Sequence, residues 1–401
     1  MKKVVAMVLA GGQGKRMEVL CQVRPKPALP FAGRFRVIDF TLSNCVHSGI
    51  GNVALLTDYQ RDHMAAYLKQ WSSNNPGDYG LDTLEPKEGS YRGTADAVYQ
   101  NLDYLKRYGP EVVVVLAGDH IYSMDYRRML AFHLESSADV TVGVMPVPLE
   151  EASRFGIVIP DGTGRIVDFN EKPAVPASNL ASMGIYIFNP RVLTEGLAED
   201  HDNPVSSHDF GYSLIPDLVK RRRAFAYKFE GYWRDIGTVE TYYEANMELT
   251  SRLPSYTFND AWPILTRDCA TLPPTIAGKG RVKHSLIGSG CVIEGEVEGS
   301  ILSPGVRVEE NAVVRNSIVM ERTVIGRNSL VDRCILDEGV TVGTQCCVGL
   351  ESNPIRAGWG ITVVGKCVRV PPWTDIGRNL RVFPGVGWAG TAAGVTDGVV
   401  V

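Results

Sequence analysis

Residues 301–348 read ILSPGVRVEENAVVRNSIVMERTVIGRNSLVDRCILDEGVTVGTQCCV. An aliphatic side chain returns at every sixth place: Leu302, Val308, Val314 and Met320, then Ile325 and Val331, then Leu336, Val342 and Val348, with Ile287 and Ile293 ahead of them. Glycines punctuate the turns, and the blocks slip register between runs, as at Gly299-Ser300. A twisted antiparallel sheet would alternate by twos and would not hold this phase. The six-residue period predicts a left-handed parallel β-helix, each hexapeptide forming one side of a triangular coil. Coils of this kind that transfer acyl groups need a histidine base, and beyond His208 the sequence offers only His284, at the coil's entrance. The coil is therefore expected to pack or oligomerise rather than to catalyse.

Ahead of it the pattern changes. Up to about residue 250, strands alternate with helices. Val4–Ala10 and Val112–Ala117 are unbroken aliphatic runs, as in central parallel strands covered on both faces. Strands are also expected at Val140–Val144, Phe155–Ile159 and Ile185–Phe188, and helices at Tyr126–Ser136, Gly211–Arg222 and Val239–Leu249. A further helix opens at Thr94, whose hydroxyl can cap it, with Asp96 in its first turn. This is an open α/β arrangement, which takes ligands at the carboxyl ends of its strands. Residues 251–280, with Pro254, Pro263, Pro273 and Pro274, show little periodicity. The expected division is an α/β domain over 1–250, a linker over 251–280, and the coil with a glycine- and valine-rich tail over 281–401.

Composition narrows the function. The 401 residues are 44% hydrophobic and 21% charged with net charge −4, so no electrostatic footprint for nucleic acid or an anionic membrane is visible. The basic run Lys220–Arg223 closes an expected helix, where it suits the dipole. The apolar start, Val4–Ala10, runs into Gly11-Gly12 with no cleavage site and reads as a first strand rather than a signal peptide. The 8 cysteines include no Cys-x-x-Cys pair. They read as reduced thiols filling core positions in a cytoplasmic protein.

The first strand leads into Gly11-Gly12-Gln13-Gly14-Lys15-Arg16, glycines that let backbone amides approach a polyphosphate beside a basic pair. Two familiar motifs fail here. A dinucleotide fingerprint from Gly12 would need glycine at Met17. A P-loop ending at Gly14-Lys15 would need glycine at Leu9 and Ser or Thr at Arg16. Asp119 follows a buried strand and Asp235 ends a short one, both places where a carboxylate meets ligand; Asp125 is the better helix cap. Lys172 precedes Pro173, which predicts an extended backbone there.

Ordered motifs extend along nearly the whole chain: Arg24-Pro25-Lys26-Pro27, Arg36-Val37-Ile38-Asp39-Phe40, Tyr91–Val98, Leu116–Tyr122, Ser153–Gly156, Glu171-Lys172-Pro173, Ala181–Tyr186, Ser207–Gly211 and Tyr232–Thr238. Together they resemble the nucleotidyltransferases that make nucleotide sugars, and within them the ADP-glucose pyrophosphorylases. The resemblance implies a Rossmann-like nucleotidyltransferase domain followed by the coil. It also implies formation of ADP-glucose and pyrophosphate from ATP and α-D-glucose 1-phosphate, with Mg2+ on Asp119 and Asp235. It assigns ATP to Gly11, Gly12, Gly14, Arg16, Lys26, Gly93 and Thr94. Arg16, Lys26, Asp119 and Asp235 carry the catalysis. Glucose 1-phosphate falls to Tyr91, Gly156, Glu171, Lys172, Ser182, Asp209 and Trp233.

Metabolite effectors would bind Arg24, Arg36, Arg107 and Arg356, in a homotetramer. Val23 and Pro30 stand where the enterobacterial branch has a lysine and a histidine of its activator site. Two alternatives remain open: a pyrophosphorylase for another nucleotide sugar, and a non-catalytic regulatory subunit. Such subunits tend to lose catalytic charges that this chain keeps.

Overall fold

The computed structural model describes residues 3–75, 77, 79–267, 272–350 and 360–386. The chain packs as two compact units. One comprises Met1–Gly12, Phe40–Leu68 and Pro76–Trp233; the other comprises Gln13–Asp39, Lys69–Asn75 and Arg234–Val401. No helix among the described residues is long and apolar enough to cross a membrane.

The first unit is built on a nine-stranded sheet. At its centre Val4–Leu9 pairs in parallel with Asn52–Leu56 on one side and Val112–Ala117 on the other. These aliphatic runs are buried on both faces, as their composition requires. The sheet is mixed, because Leu180–Phe188 runs antiparallel to both Val112–Ala117 and Val140–Pro146. Parallel pairing therefore holds at the centre and gives way on that side. The expected helix at Tyr126 spans Tyr126–Glu135, and Asp125 caps it by accepting from the Arg127 amide. The segment expected as one helix from Gly211 is a single π turn, Phe210–Leu214, followed by Ile215–Arg221. The arginines of the basic run at its end are paired: Arg221 with Asp217 and Glu199, Arg222 with Glu195, Arg223 with Asp139.

Thr94 does not cap its helix. The N-cap of Thr94–Tyr99 is Gly93, which makes no side-chain cap, while the Thr94 hydroxyl donates to Asp209 Oδ2 at 2.8 Å. Asp96 sits in the first turn as expected, its carboxylate accepting from the Arg92 amide at 2.9 Å.

The second unit contains the coil. Three six-stranded parallel sheets form its sides, beginning with Thr275–Ile276 paired to Val292–Ile293. The step between turns is written in a serine ladder along one corner. The Ser317 amide donates to Ser300 Oγ and the Cys334 amide to Ser317 Oγ, each across 17 residues. Most of the six-spaced aliphatics fill the interior: Ile293, Leu302, Val308, Val314, Ile325, Val331, Leu336, Val342 and Val348 are buried together. Met320 departs from the expectation. Val319 takes the interior place, because that side of the coil is one residue shorter, and Met320 is buried with its Sδ 3.9 Å from Arg24 Nη1. Corners turn through left-handed residues, among them Asn311, Asn316 and Asn328, a residue type that tolerates this conformation.

Of the described cysteines, Cys21, Cys45, Cys291, Cys334 and Cys346 are buried, as expected for core thiols. Cys367 is exposed at a left-handed corner and departs from that expectation.

Candidate active site

In the first unit the carboxyl ends of Val4–Leu9, Asn52–Leu56 and Val112–Ala117 open onto a cavity of about 340 Å³. Gly11, Gly12, Tyr91, Gly93, Thr94, Asp119 and Asp209, all expected site residues, line it together with Asp58. A ligand is expected at this edge of such a sheet.

Local structure fixes each wall. A Cβ on Gly11 would stand 3.2 Å from the backbone nitrogen and Cβ of Asp58, so the loop passes close to that residue. Asp58 Oδ2 in turn accepts from the Tyr91 amide at 3.2 Å. The Tyr91 phenol accepts from Asn101 Nδ2 at 2.9 Å, and burial pushes its pKa up to about 12, so it stays neutral. Asp209 is held on both oxygens. Oδ1 accepts from the Gly211 and Tyr212 amides as the cap of the π turn, and Oδ2 accepts from Thr94. Asp119 is half-buried, its Oδ1 3.6 Å from His120 Nε2. The Trp233 indole donates to His120 Nδ1 at 3.3 Å, which leaves Nε2 to carry the proton toward Asp119 in the neutral ring.

A second cluster in the same unit gathers sugar-side candidates. A Cβ on Gly156 would come 2.6 Å from Glu171 Oε2, and one on Gly211 would collide with the same carboxylate, so Glu171 lies between two glycines. Lys172 Nζ donates to Glu171 Oε1 at 2.8 Å and stands 5.2 Å from the Tyr212 ring centre. Burial alone would lower the Lys172 ammonium, but the Glu171 hydrogen bond and charge outweigh it and raise the pKa, so the lysine stays charged.

The Lys172 backbone is not extended: its φ is +47°. The following proline excludes only the right-handed helical region firmly. A bond from the Lys172 amide to the Phe155 carbonyl, 3.0 Å, anchors the residue in the left-handed alternative. Ser182 is buried on Leu180–Phe188, its hydroxyl 3.4 Å from the Tyr186 phenol. Trp233 is buried against Phe155, with ring centres 5.4 Å apart.

In the second unit Gly14, with φ +63°, caps the short turn Lys15–Cys21, and a Cβ there would strike Cys21 Sγ and Lys26. Lys26 Nζ lies 3.4 Å from Asp235 Oδ1. The Arg16 guanidinium and the Asp235 carboxylate both face Gly237, whose added Cβ would lie 2.9 Å from Asp235 Oδ2 and 3.6 Å from Arg16 Nη1. Two cations and one carboxylate thus converge, with Arg16 itself exposed.

The expected effector arginines are placed differently from one another. Arg24 is fully buried, its Nη2 2.7 Å from Asp337 Oδ1 and 3.5 Å from Glu338 Oε2. Arg36 Nη2 lies 2.7 Å from Glu338 Oε1 and 3.2 Å from Glu321 Oε1. Lys366 and Arg267 complete the network on Glu338 and Glu321. Burial pushes the Asp337 carboxyl up against the pull of Arg24. Burial also works against ionised Glu338, but Arg36, Arg24 and Lys366 hold it well below the usual carboxylate range. Arg107 is exposed in the last turn of Leu102–Tyr108, and Arg356 lies outside the described residues.

Among the described residues no three His, Cys, Asp or Glu side chains gather into a metal cage. Asp119 on the first unit's cavity wall and Asp235 among the second unit's cations each offer carboxylate oxygens, the kind of donor that magnesium takes alongside phosphate oxygens.

Two residues, Asp58 on the cavity wall and His120 beside Asp119, escaped the sequence reading. Asp58 follows the aliphatic run Val53–Leu56 just as Asp119 follows its own, and the sheet-edge rule applied there would have found it. His120 stood inside a recognised motif, but only the fold brings Trp233 to its ring.

The family model described as nucleotidyl transferase matches residues 5–252, and the one described as GlmU-like C-terminal hexapeptide matches residues 275–368. A glucose-1-phosphate adenylyltransferase from Acetivibrio thermocellus is 45% identical, covering 96% of this chain and 93% of its own. One from Thermomicrobium roseum is 46% identical over 96% and 94%, and one from Bacillus cereus 46% over 88% and 96%. With its mixed α/β sheet, its coil and this likeness along nearly its whole length, the chain belongs to the glucose-1-phosphate adenylyltransferase family of nucleotidyl transferases.

Proposed function

We propose that this chain joins ATP and α-D-glucose 1-phosphate to form ADP-glucose and release pyrophosphate, supplying an activated glucosyl donor for α-glucan synthesis. The observation that carries the reading is the cavity at the sheet edge, where Gly11, Gly12, Gly93 and Thr94 meet Asp119 and Tyr91. An open, glycine-walled pocket, whose carboxylates Asp58 and Asp209 are taken up by hydrogen bonds within the wall while Asp119 faces the cavity, suits a nucleotide bearing a metal-bound polyphosphate.

The nucleophile needs no general base, because the sugar phosphate oxygen is already an anion. It attacks the α-phosphorus in line, a new P–O bond forms, and the bond to the β-phosphate oxygen breaks with its electron pair leaving on pyrophosphate. Catalysis is then positioning and neutralisation of charge. Arg16 and Lys26 would neutralise the β- and γ-phosphates. Lys172, held charged by Glu171, would take the sugar phosphate, with Glu171, Tyr91, Gly156, Ser182, Asp209 and Trp233 shaping the sugar's surroundings. A magnesium ion held by Asp119 and Asp235 would supply Lewis-acid stabilisation of the phosphate charge.

The catalytic work is assigned to residues 1–250. The coil is assigned to assembly as a homotetramer and to response to anionic metabolites, with Arg24, Arg36, Arg107 and Arg356 as the effector-side arginines. A cytoplasmic location is assigned on the chemistry of these substrates. The test is pyrophosphate release with magnesium and glucose 1-phosphate, run with ATP, UTP, dTTP and GTP in parallel and with a panel of phosphorylated metabolites. Preference for ATP is expected. Preference for another nucleotide would overturn the substrate, and silence of the folded protein with every nucleotide would favour a regulatory subunit.

A further inference from the structure

His208 has no part in the chemistry above, yet its backbone touches both sides of the pocket. It is buried and adopts φ +54°, a conformation uncommon outside glycine that persists only where the surroundings over-determine it. Those surroundings are specific. Asp200, on the helix Pro190–Asp202, uses both carboxylate oxygens: Oδ1 accepts from Ser206 Oγ at 2.6 Å, and Oδ2 lies 3.1 Å from His208 Nδ1. The Ser206 hydroxyl also accepts from the His208 amide at 2.9 Å. Ring and amide of one residue are therefore buckled to one carboxylate and its serine.

The buckle aims the His208 carbonyl at the helix Thr94–Tyr99. It accepts from the Ala95 amide at 2.8 Å and the Asp96 amide at 3.2 Å, two donors that a helix start leaves without partners. Gly93, the cap residue, has no side chain to do this, and any Cβ there would collide with the same carbonyl. One residue further on, Asp209 takes the Thr94 hydroxyl and caps the π turn that sets Gly211 against Glu171.

We propose that His208, locked by Asp200 and Ser206, is a positioning residue that fixes the nucleotide-side Gly93–Thr94 segment and the sugar-side Asp209–Glu171 wall in a single geometry. The proposal rests on the assignment of those segments to the two substrates. Displacements of about an ångström at such segments can cost up to a hundredfold in rate.

The test is steady-state kinetics of His208→Ala, Asp200→Ala, the double variant and His208→Asn, with Glu171→Gln alongside and melting temperatures recorded for all. His208→Ala and Asp200→Ala are expected to raise KM for glucose 1-phosphate and to lower kcat/KM for both substrates by about tenfold or more. The double variant should be no worse than the weaker single, since the two act as one unit. His208→Asn should recover most of the loss, because asparagine tolerates positive φ and its amide can donate to Asp200. Should His208→Ala fail to fold, Asp200→Ala carries the expected loss and His208→Asn the near-native kinetics.

Unchanged kinetics in both alanine variants, with sugar affinity lost in Glu171→Gln, would overturn the proposal and leave the site assignment standing. Unchanged kinetics in Glu171→Gln as well would overturn the assignment itself. Additive losses, or no recovery in His208→Asn, would reduce His208 to an ordinary structural residue.

Discussion

Asp119 stands at the edge of the central sheet with its carboxylate half-exposed to the cavity, as its place after Val112–Ala117 predicts. If it meets the charge of the triphosphate, Asp119→Asn should keep the fold and lose about two to three decades in kcat. Circular dichroism with a pyrophosphate-release assay checks this, and near-native turnover would remove Asp119 from the reaction. Sheet-edge carboxylates are legible in sequence because an aliphatic run announces the strand and the next polar residue inherits its end. The left-handed Lys172 was not legible. The rule for a residue before proline removes one conformation and leaves two, and the choice between them is made by the Phe155 carbonyl, a partner the local sequence does not identify.

At the scale of elements, the helix Thr94–Tyr99 is too short to stand alone and depends on what its ends find. Burial works against the ionised Asp96 carboxylate, but hydrogen bonds from Arg92 and Gln100 outweigh it and hold its pKa below the ordinary value. A depressed carboxylate contributes stability that is present above its unfolded pKa, about 3.9, and is lost as pH falls through the folded value. Asp96→Asn should therefore be less stable than the native chain at pH 7, and the gap should narrow only as pH falls below about 3.9 and through the lower folded value. Denaturant titrations across this pH range decide this; a gap independent of pH would mean that the charge contributes nothing. In the coil, Ser317→Ala removes the acceptor of the buried Cys334 amide and should cost about 1–3 kcal/mol by the same titration.

The long strands and amphipathic helices of this chain were readable from periodicity. The helix Val37–His47 was not, since nearly every residue in it is buried and no polar stripe marks its turns. Thr94 was read as a cap from its type alone, whereas the cap is a carbonyl supplied from His208.

At the scale of the whole molecule, the most deeply buried ion pair among the described residues joins positions far apart in the sequence. Arg24 and Asp337 are 313 residues apart, and neither exposes its side chain. No rule of spacing connects them, so the carboxylate partners of Arg24 were not legible in the sequence. Removing one partner of such a pair strands the other charge without solvent. Arg24→Ala should cost about 3–5 kcal/mol in unfolding free energy, and replacing both Arg24 and Asp337 with apolar residues should recover much of it. Thermal and denaturant unfolding of the single and double variants read this directly. An Arg24→Ala protein of native stability would show the guanidinium to be dispensable to the second unit.

The coil, by contrast, was legible almost in full, because a repeating unit states its own geometry many times over. Its repeat also bears on how such a protein can change over generations. Ile335 pairs with Val363, so the turn between them is longer than its neighbours, yet Val364 still falls in the interior. The added length leaves the pairing of the described strands on either side undisturbed, whereas a one-residue slip within a strand would turn that strand's side chains to the other face. Length in this half of the molecule is therefore not tied to a fixed count per turn, and a gene encoding it can gain residues between sides, where the pairing of the strands on either side is kept.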